Sequence, residues 1–170
     1  RFAQWKIDQA GCGVVGMITN HGYLDNPTFR GMRQSLMQTF DEIYVLDLHG
    51  NSLKKETCPD GSPDKNVFDI QQGVAIAFFI KRGGAAPVDA VVRHADLFGT
   101  REEKYAWLEA HETANTRWRK LTPHSGSYLF VRRDETAMRR YVRYPSVTDI
   151  FPVNSVGIVT ARDGLTIHWS

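Results

Sequence analysis

Apolar positions in this 170-residue chain fall into short, dense runs separated by polar, turn-forming stretches, which predicts strands and helices in alternation. Val14-Val15-Gly16-Met17-Ile18-Thr19 is β-branched and apolar on both faces, the mark of a buried strand, and Asn20-His21-Gly22 stops it. Asn26 can then cap a helix, with Pro27 at a position that needs no amide donor. Phe29, Met32, Leu36, Met37 and Phe40 follow at helical spacing, leaving Arg30, Arg33, Gln34 and Gln38 for a solvated face. Residues 43–48 predict a second strand, ended by His49-Gly50-Asn51. Residues 51–66 are polar, with Pro59, Gly61 and Pro63, and read as a long loop of the kind that carries function. The clearest strand is 74–80, apolar throughout and closed by Lys81-Arg82-Gly83-Gly84.

Beyond it, 88–92 reads as an edge strand. Thr100-Arg101-Glu102-Glu103 has the spacing of a capping box, opening a helix with Tyr105, Leu108, Ala106 and Ala110 as its core face. After Pro123 come a short aromatic strand at 127–131, a basic helical stretch at 136–144, and a strand and turn over 157–164. Strand, helix, strand within about forty residues is the signature of an α/β layer with a crossover.

Composition is that of an ordinary soluble domain, with 42% hydrophobic and 24% charged residues, so collagenous and disordered classes are excluded. The run at 74–80 is far short of the roughly 20 residues a membrane span needs, and Arg1-Phe2-Ala3-Gln4-Trp5-Lys6 holds no signal-peptide core. The chain begins without methionine and is expected to be cut from something longer. Cys12 and Cys58 stand far apart without partners at metal-ligand spacing, which fits a reducing, cytoplasmic setting. The six histidines include no His-x-x-x-His pair, so no metal site is expected. Net charge is only +2, but its distribution is uneven. Arg117, Arg119, Lys120, Arg132, Arg133, Arg139, Arg140 and Arg143 face only Asp134 and Glu135 in the same stretch, with Trp118, Tyr128, Phe130 and Tyr141 interleaved. Such a mix suits phosphate contacts and base stacking, or else a solvated face whose aromatics pack inward.

Two short motifs mislead. Gly11-Cys12-Gly13-Val14-Val15-Gly16 matches the G-x-G-x-x-G pattern, but no strand precedes it and a strand-like run follows, the reverse of a dinucleotide turn. Asn26-Pro27-Thr28-Phe29 approximates the Asn-Pro-Pro-Tyr/Phe motif of amino-group methyltransferases, yet helix capping accounts for every residue in it.

Longer runs carry a resemblance. Gly13-Val14-Val15-Gly16-Met17-Ile18-Thr19-Asn20-His21-Gly22-Tyr23-Leu24, Phe29-Arg30-Gly31-Met32-Arg33, Leu46-Asp47-Leu48-His49-Gly50-Asn51 and Asn66-Val67-Phe68-Asp69-Ile70-Gln71-Gln72-Gly73-Val74-Ala75-Ile76 resemble the later half of a γ-class N6-adenine DNA methyltransferase domain. The likeness is greatest to type ISP restriction-modification enzymes. His94-Ala95-Asp96-Leu97-Phe98-Gly99-Thr100-Arg101-Glu102-Glu103-Lys104 and Phe151-Pro152-Val153-Asn154-Ser155-Val156-Gly157-Ile158-Val159-Thr160-Ala161-Arg162-Asp163 are similar to the segments leading into that family's target-recognition domain.

The resemblance implies an α/β fold: the later strands of a Rossmann-like methyltransferase sheet, the strands at Ile43 and Val74 pairing antiparallel at its edge, then the start of a target-recognition domain. Residues 1–110 would complete the methyltransferase domain, 111–145 form a basic connection, and 146–170 open target recognition. It also implies S-adenosylmethionine as methyl donor and double-stranded DNA as partner. The family's cofactor and catalytic motifs lie upstream of Val14, so the chain is expected to need the upstream half, to bind no cofactor alone and to hold no catalytic residue. Its unpaired sheet edge is expected to permit association between copies.

Site expectations follow residue by residue. Phe68 lies where the family places an aromatic that stacks on an extruded adenine, or else it plugs the core before the next strand. Asn20, His21, Tyr23, His49 and Asn51, at strand ends, are candidates for the target pocket or for turn chemistry. Lys54, Lys55, Arg117, Arg119, Lys120, Arg132, Arg133 and Arg162 are candidates for DNA contact. Two rivals stand beside this reading: a non-catalytic DNA-binding module resting on 117–143, and a nucleotide-dependent oxidoreductase using the glycine run.

Overall fold

The computed structural model describes residues 1–84 and 90–153. They fall into two units, 1–132 and 133–170. The first begins with helix α1 (Phe2–Ala10), which leaves the helical path at Gly11 in the left-handed conformation. Strand β1 (Gly13–Asn20) follows, and Gly13 at φ 147 packs against the Ile7 side chain, where a Cβ would lie 2.6 Å from Cδ1. The glycine run therefore links a helix to a strand, the opposite order to a nucleotide-binding turn. Two 3-10 turns, His21–Leu24 and Pro27–Phe29, lead into helix α2 (Arg30–Thr39). Asn26 caps the second turn, its side chain accepting from the Thr28 amide at 2.9 Å, so the Asn-Pro-Thr-Phe motif is spent on capping.

Strands β2 (Glu42–Asp47), β3 (Val74–Lys81), β4 (Val91–Asp96) and β5 (Arg119–Lys120) complete a five-stranded mixed sheet in the order β1-β3-β2-β4-β5. β2 and β3 pair antiparallel, as expected, with Ile43 opposite Phe79 and Leu46 opposite Ile76. The pair is not at an edge: β3 also pairs antiparallel with β1 along its whole length, and β4 adds parallel to β2. β1, β2 and β4 therefore share one direction, with β3 reversed between the first two. The strand at 91–96 is correspondingly an inner one, flanked by β2 and by two residues of β5; the earlier part of the predicted segment, 88–89, lies outside the described residues.

Alternation along β2 and β3 divides the core between two faces. Ile43, Val45, Ala75, Ala77 and Phe79 pack with Met37 and Phe40 beneath α2, whereas Leu46, Leu48, Val67, Val74 and Leu97 pack with Trp107 and Leu108 of helix α3 (Arg101–Ala110). The Thr100–Glu103 capping box forms as predicted. The core face of α3 differs from expectation: Lys104 is fully buried and Tyr105 is exposed, because Lys104 is an ion-pair partner inside the domain. Arg33 differs likewise. It is fully buried, and its guanidinium donates to the carbonyls of Tyr23 (2.7 Å), Asn26 (2.9 Å), Ser127 (2.7 Å) and Tyr128 (2.8 Å). Those carbonyls explain why 127–131 is not a strand: the backbone there serves Arg33 rather than a ladder, and the Phe130 amide donates to Leu24. Phe130 itself fills the core.

β1 is covered least. Val14, Met17 and Ile18 are 61%, 48% and 55% exposed, and among the described residues the strand pairs on one side only. In the second unit, described over 133–153, helix α4 (Glu135–Tyr141) and the single turn α5 (Val147–Ile150) form, the latter with a Ser146–Asp149 capping box. The predicted strand and turn at 157–164 lie outside the described residues. No helix among the described residues is long and apolar enough to cross a membrane.

Candidate functional site

The shared direction of β1, β2 and β4 brings three carboxyl ends together, at Asn20, Asp47 and Asp96, which is where α/β sheets build sites. Asp47 is the hub. It is buried, and its Oδ1 lies 2.9 Å from His21 Nδ1 and accepts from the His49 backbone amide at 3.0 Å. Burial opposes its ionisation, but the hydrogen bond from His21 and the charge of His49 outweigh this, and its pKa falls below the ordinary aspartate value.

His49 adopts a left-handed backbone, φ 52, which turns its ring back over the strand ends. Its Nε2 lies 3.0 Å from Asp96 Oδ1, its ring stacks on Phe98 with centroids 3.9 Å apart, and it meets His21 edge-on at 6.2 Å. Glu56 Oε1, from the loop, is 3.8 Å from Nδ1. Burial disfavours the imidazolium, yet Asp96, Asp47 and Glu56 together raise the pKa of His49 above its usual value. Asn51 completes the cluster: its Nδ2 lies 3.2 Å from His21 Nε2, and its backbone amide donates to Glu56 Oε2 at 2.8 Å. The His21 ring covers Gly73, where a Cβ would sit 2.4 Å from Cε1, so this glycine is required by contact. His94 lies behind, buried, with its pKa lowered by that burial.

The fold thus gathers His21, His49 and Asn51. Asn20 and Tyr23 take other roles. The Asn20 side chain accepts from the Gly22 amide at 2.6 Å, capping the 3-10 turn. Tyr23 has its hydroxyl buried beside Thr19; burial, aided by the charge of Asp47, pushes its pKa up to about 12.

Phe68 stands on a neighbouring surface, 42% exposed, lining an open cleft of about 650 Å³ with Ile70, Gln71, Asn66 and Arg101. Val67, not Phe68, fills the core before β3. The segment is held from three sides: Asn66 donates to the carbonyls of Gly50 (3.2 Å) and Gln72 (2.7 Å), Arg101 donates to the Asn66 carbonyl (3.0 Å), and Tyr105 donates to that of Val67 (2.7 Å). Beneath it lies a buried ion pair. Lys104 Nζ is 2.7 Å from Asp64 Oδ1 and donates to the carbonyls of Leu48 (2.7 Å) and Lys65 (2.6 Å), while Asp64 accepts from the amides of Gly50 (2.6 Å) and Gly99 (2.9 Å).

The basic candidates lie on the surface. Lys54 is 3.7 Å from Asp25, both exposed, and Lys55 is exposed with φ 53. Arg117, Arg119, Lys120 and Arg132 of the first unit and Arg133 of the second are exposed, and none of the ion pairs among the described residues involves them. Trp118 is half-buried, its ring 5.1 Å from Tyr44 and its indole nitrogen donating to the Thr113 carbonyl. Arg162 lies outside the described residues. Sequence reading missed Asp47, Asp96, Glu56 and the Asp64–Lys104 pair. Asp47 had a signal, a lone carboxylate inside the apolar run Leu46-Asp47-Leu48, whereas Asp96 meets His49 and Asp64 meets Lys104 across some forty residues of sequence.

The fold has counterparts among solved structures of restriction-modification enzymes. The chain is similar to a region of the type ISP restriction-modification enzyme LlaBIII bound to DNA, with 30% identity and a TM-score of 0.64 over 76% of this chain. It is similar to part of the DrdV–DNA complex, with 25% identity and a TM-score of 0.64 over 79% of this chain. The type ISP enzyme LlaGI, solved as a nuclease-deletion mutant with a DNA substrate mimic, shares the fold at 23% identity and a TM-score of 0.60 over 75% of this chain. The match spans 9%, 13% and 10% of those three chains, respectively. No protein-family model and no curated protein matches the sequence.

Proposed function

We propose that this chain is the later part of an adenine-N6 DNA methyltransferase domain, leading into target recognition, within a restriction-modification enzyme. The observation that carries the reading is the similarity to DNA-bound type ISP enzymes over three quarters of the chain. The exposed apolar side chains of β1 support it, since an upstream half of the sheet would cover Val14, Met17 and Ile18. S-adenosylmethionine would supply the methyl group. The glycine run here does not fit that cofactor, because Gly13 packs on Ile7 and Gly16 lies within the β1–β3 ladder, its Cβ position 3.2 Å from the Phe78 ring. In this reading, cofactor binding and catalysis belong to upstream sequence.

This chain's own part is to present the target. Phe68, held outward by Asn66, Arg101 and Tyr105, offers a π-face on an open cleft, and stacking an extruded adenine there offsets part of the cost of unpairing. The test is methyl transfer to adenine-containing duplex by this chain joined to its upstream half, beside this chain alone. Activity is expected only in the longer protein. Phe68→Ala should lower it by about 5- to 150-fold, the equivalent of roughly 1–3 kcal/mol of stacking, with the fold retained. Full activity in that variant would remove Phe68 from the reading, and no activity in the longer protein would remove the reading itself.

The exposed basic residues favour a second reading, a DNA-binding module without chemistry. It expects salt-sensitive binding of duplex DNA by this chain alone and no methyl transfer by either protein.

A further inference from the structure

We propose that His21, His49 and Glu56 form a binding site for a divalent transition metal of the zinc type, which fastens the loop 51–73 to the carboxyl ends of β1 and β2. One nitrogen of each imidazole and one carboxylate oxygen of Glu56 lie within 4.8 Å of one another, although the three residues come from three different segments. Two nitrogens and an oxygen form a donor set that suits zinc or cobalt and suits magnesium or calcium poorly.

Three further observations point to a cation. The first is orientation. His21 Nδ1 is 2.9 Å from Asp47 and His49 Nε2 is 3.0 Å from Asp96, so in each ring one nitrogen faces a carboxylate and the other, His21 Nε2 or His49 Nδ1, is turned into the cluster. A carboxylate behind each ligating histidine is the arrangement that fixes the tautomer and sharpens metal affinity. The second is charge. Asp47, Asp96 and Glu56 converge here, and among the described residues their ion-pair partners are histidines alone, with no lysine or arginine. The third is support: Gly73 and Phe98 hold the two rings from behind, and the Asn51 amide bonds Glu56 from the other side. Asn51 Nδ2, 3.2 Å from His21 Nε2, is the one group that a bound ion moves aside. Three protein donors leave the fourth position of a tetrahedral ion for water. The site does not depend on the methyltransferase reading, because its role is to order the loop that leads to Phe68.

The test uses the untagged chain, stripped with a chelator and titrated with Co2+ followed by visible absorption, then with Zn2+ by calorimetry, with Mg2+ as comparison. One equivalent of Co2+ should develop ligand-field bands, Zn2+ should displace it, and the thermal midpoint should rise with Zn2+ but not with Mg2+. Glu56→Gln and His49→Ala each remove a donor at the half-buried side of the cluster and should weaken Co2+ binding at least tenfold. Asp96→Asn should weaken it by about 10- to 100-fold through His49 alone. His21 is too deeply packed to serve as the main variant. Absent Co2+ bands, an equal response to Mg2+, or binding unchanged in Glu56→Gln and His49→Ala with native circular dichroism would each overturn the proposal.

Discussion

At the scale of single residues, the two deepest charges explain most of how the loops are held. Arg33 and Lys104 are both fully buried, and each spends its donors mainly on backbone carbonyls of segments far away in sequence. Neither position looked buried from its own helix, since periodicity cannot distinguish a cation bound for solvent from one bound for a carbonyl cage. Lys104 is the more testable. Lys104→Met leaves the buried Asp64 carboxyl without its cation and with only two amide partners, so it should cost about 3–5 kcal/mol of stability, read as a lower denaturation midpoint. Adding Asp64→Asn should restore part of that loss, because the unpartnered carboxyl is then replaced by a neutral amide. Gly50 belongs to the same knot: at φ 78 its Cβ position lies 2.4 Å from the Asn66 backbone, so no side chain fits.

At the scale of elements, strand pairing is reinforced by one acidic residue. Glu42, opening β2, bonds Arg82 just past β3 and Arg93 on β4 (2.6 Å), with the Tyr44 hydroxyl at 2.8 Å, and so ties three adjacent strands at one end. Its partial burial favours the neutral form, but Arg82, Tyr44 and Arg93 prevail and its pKa falls below 4.5. A depressed carboxylate stabilises the fold above its unfolded pKa and loses that effect as pH falls through the lower folded value. The gap in thermal midpoint between wild type and Glu42→Gln should therefore be largest near neutrality and shrink below about pH 4.5. A gap that stayed constant down to pH 2 would show that the arginines act on the packing of Glu42 and not on its charge.

At the scale of the whole molecule, surface charge matters more than net charge. Arg119 and Lys120 stand exposed on β5, the last strand of the sheet, without ion-pair partners among the described residues. If they hold phosphates, Arg119→Ala with Lys120→Ala should weaken duplex binding equally for all sequences. The slope of log affinity against log salt should fall by about 1.8, roughly 0.9 for each contact. An unchanged slope would assign this strand to a solvated face.

Local patterning was enough to place β1, β2 and β3, helix α2, and the α3 capping box, because side-chain period and capping chemistry act within a few residues; Asn26, expected to cap that helix, caps the 3-10 turn before it instead. It also separated the glycine run and the Asn-Pro-Thr-Phe motif from the chemistry they imitate. Helix α1 went unseen, since Phe2, Trp5 and Ile7 are flanked by polar residues in too short a window. The insertion of β3 between β1 and β2, the gathering of His21, Asp47, His49, Asn51, Glu56 and Asp96, and the inward turn of Arg33 and Lys104 came from the fold alone. Each depends on contacts across tens of residues, where a charged side chain's fate is set by which distant carbonyl or carboxylate the chain brings to it.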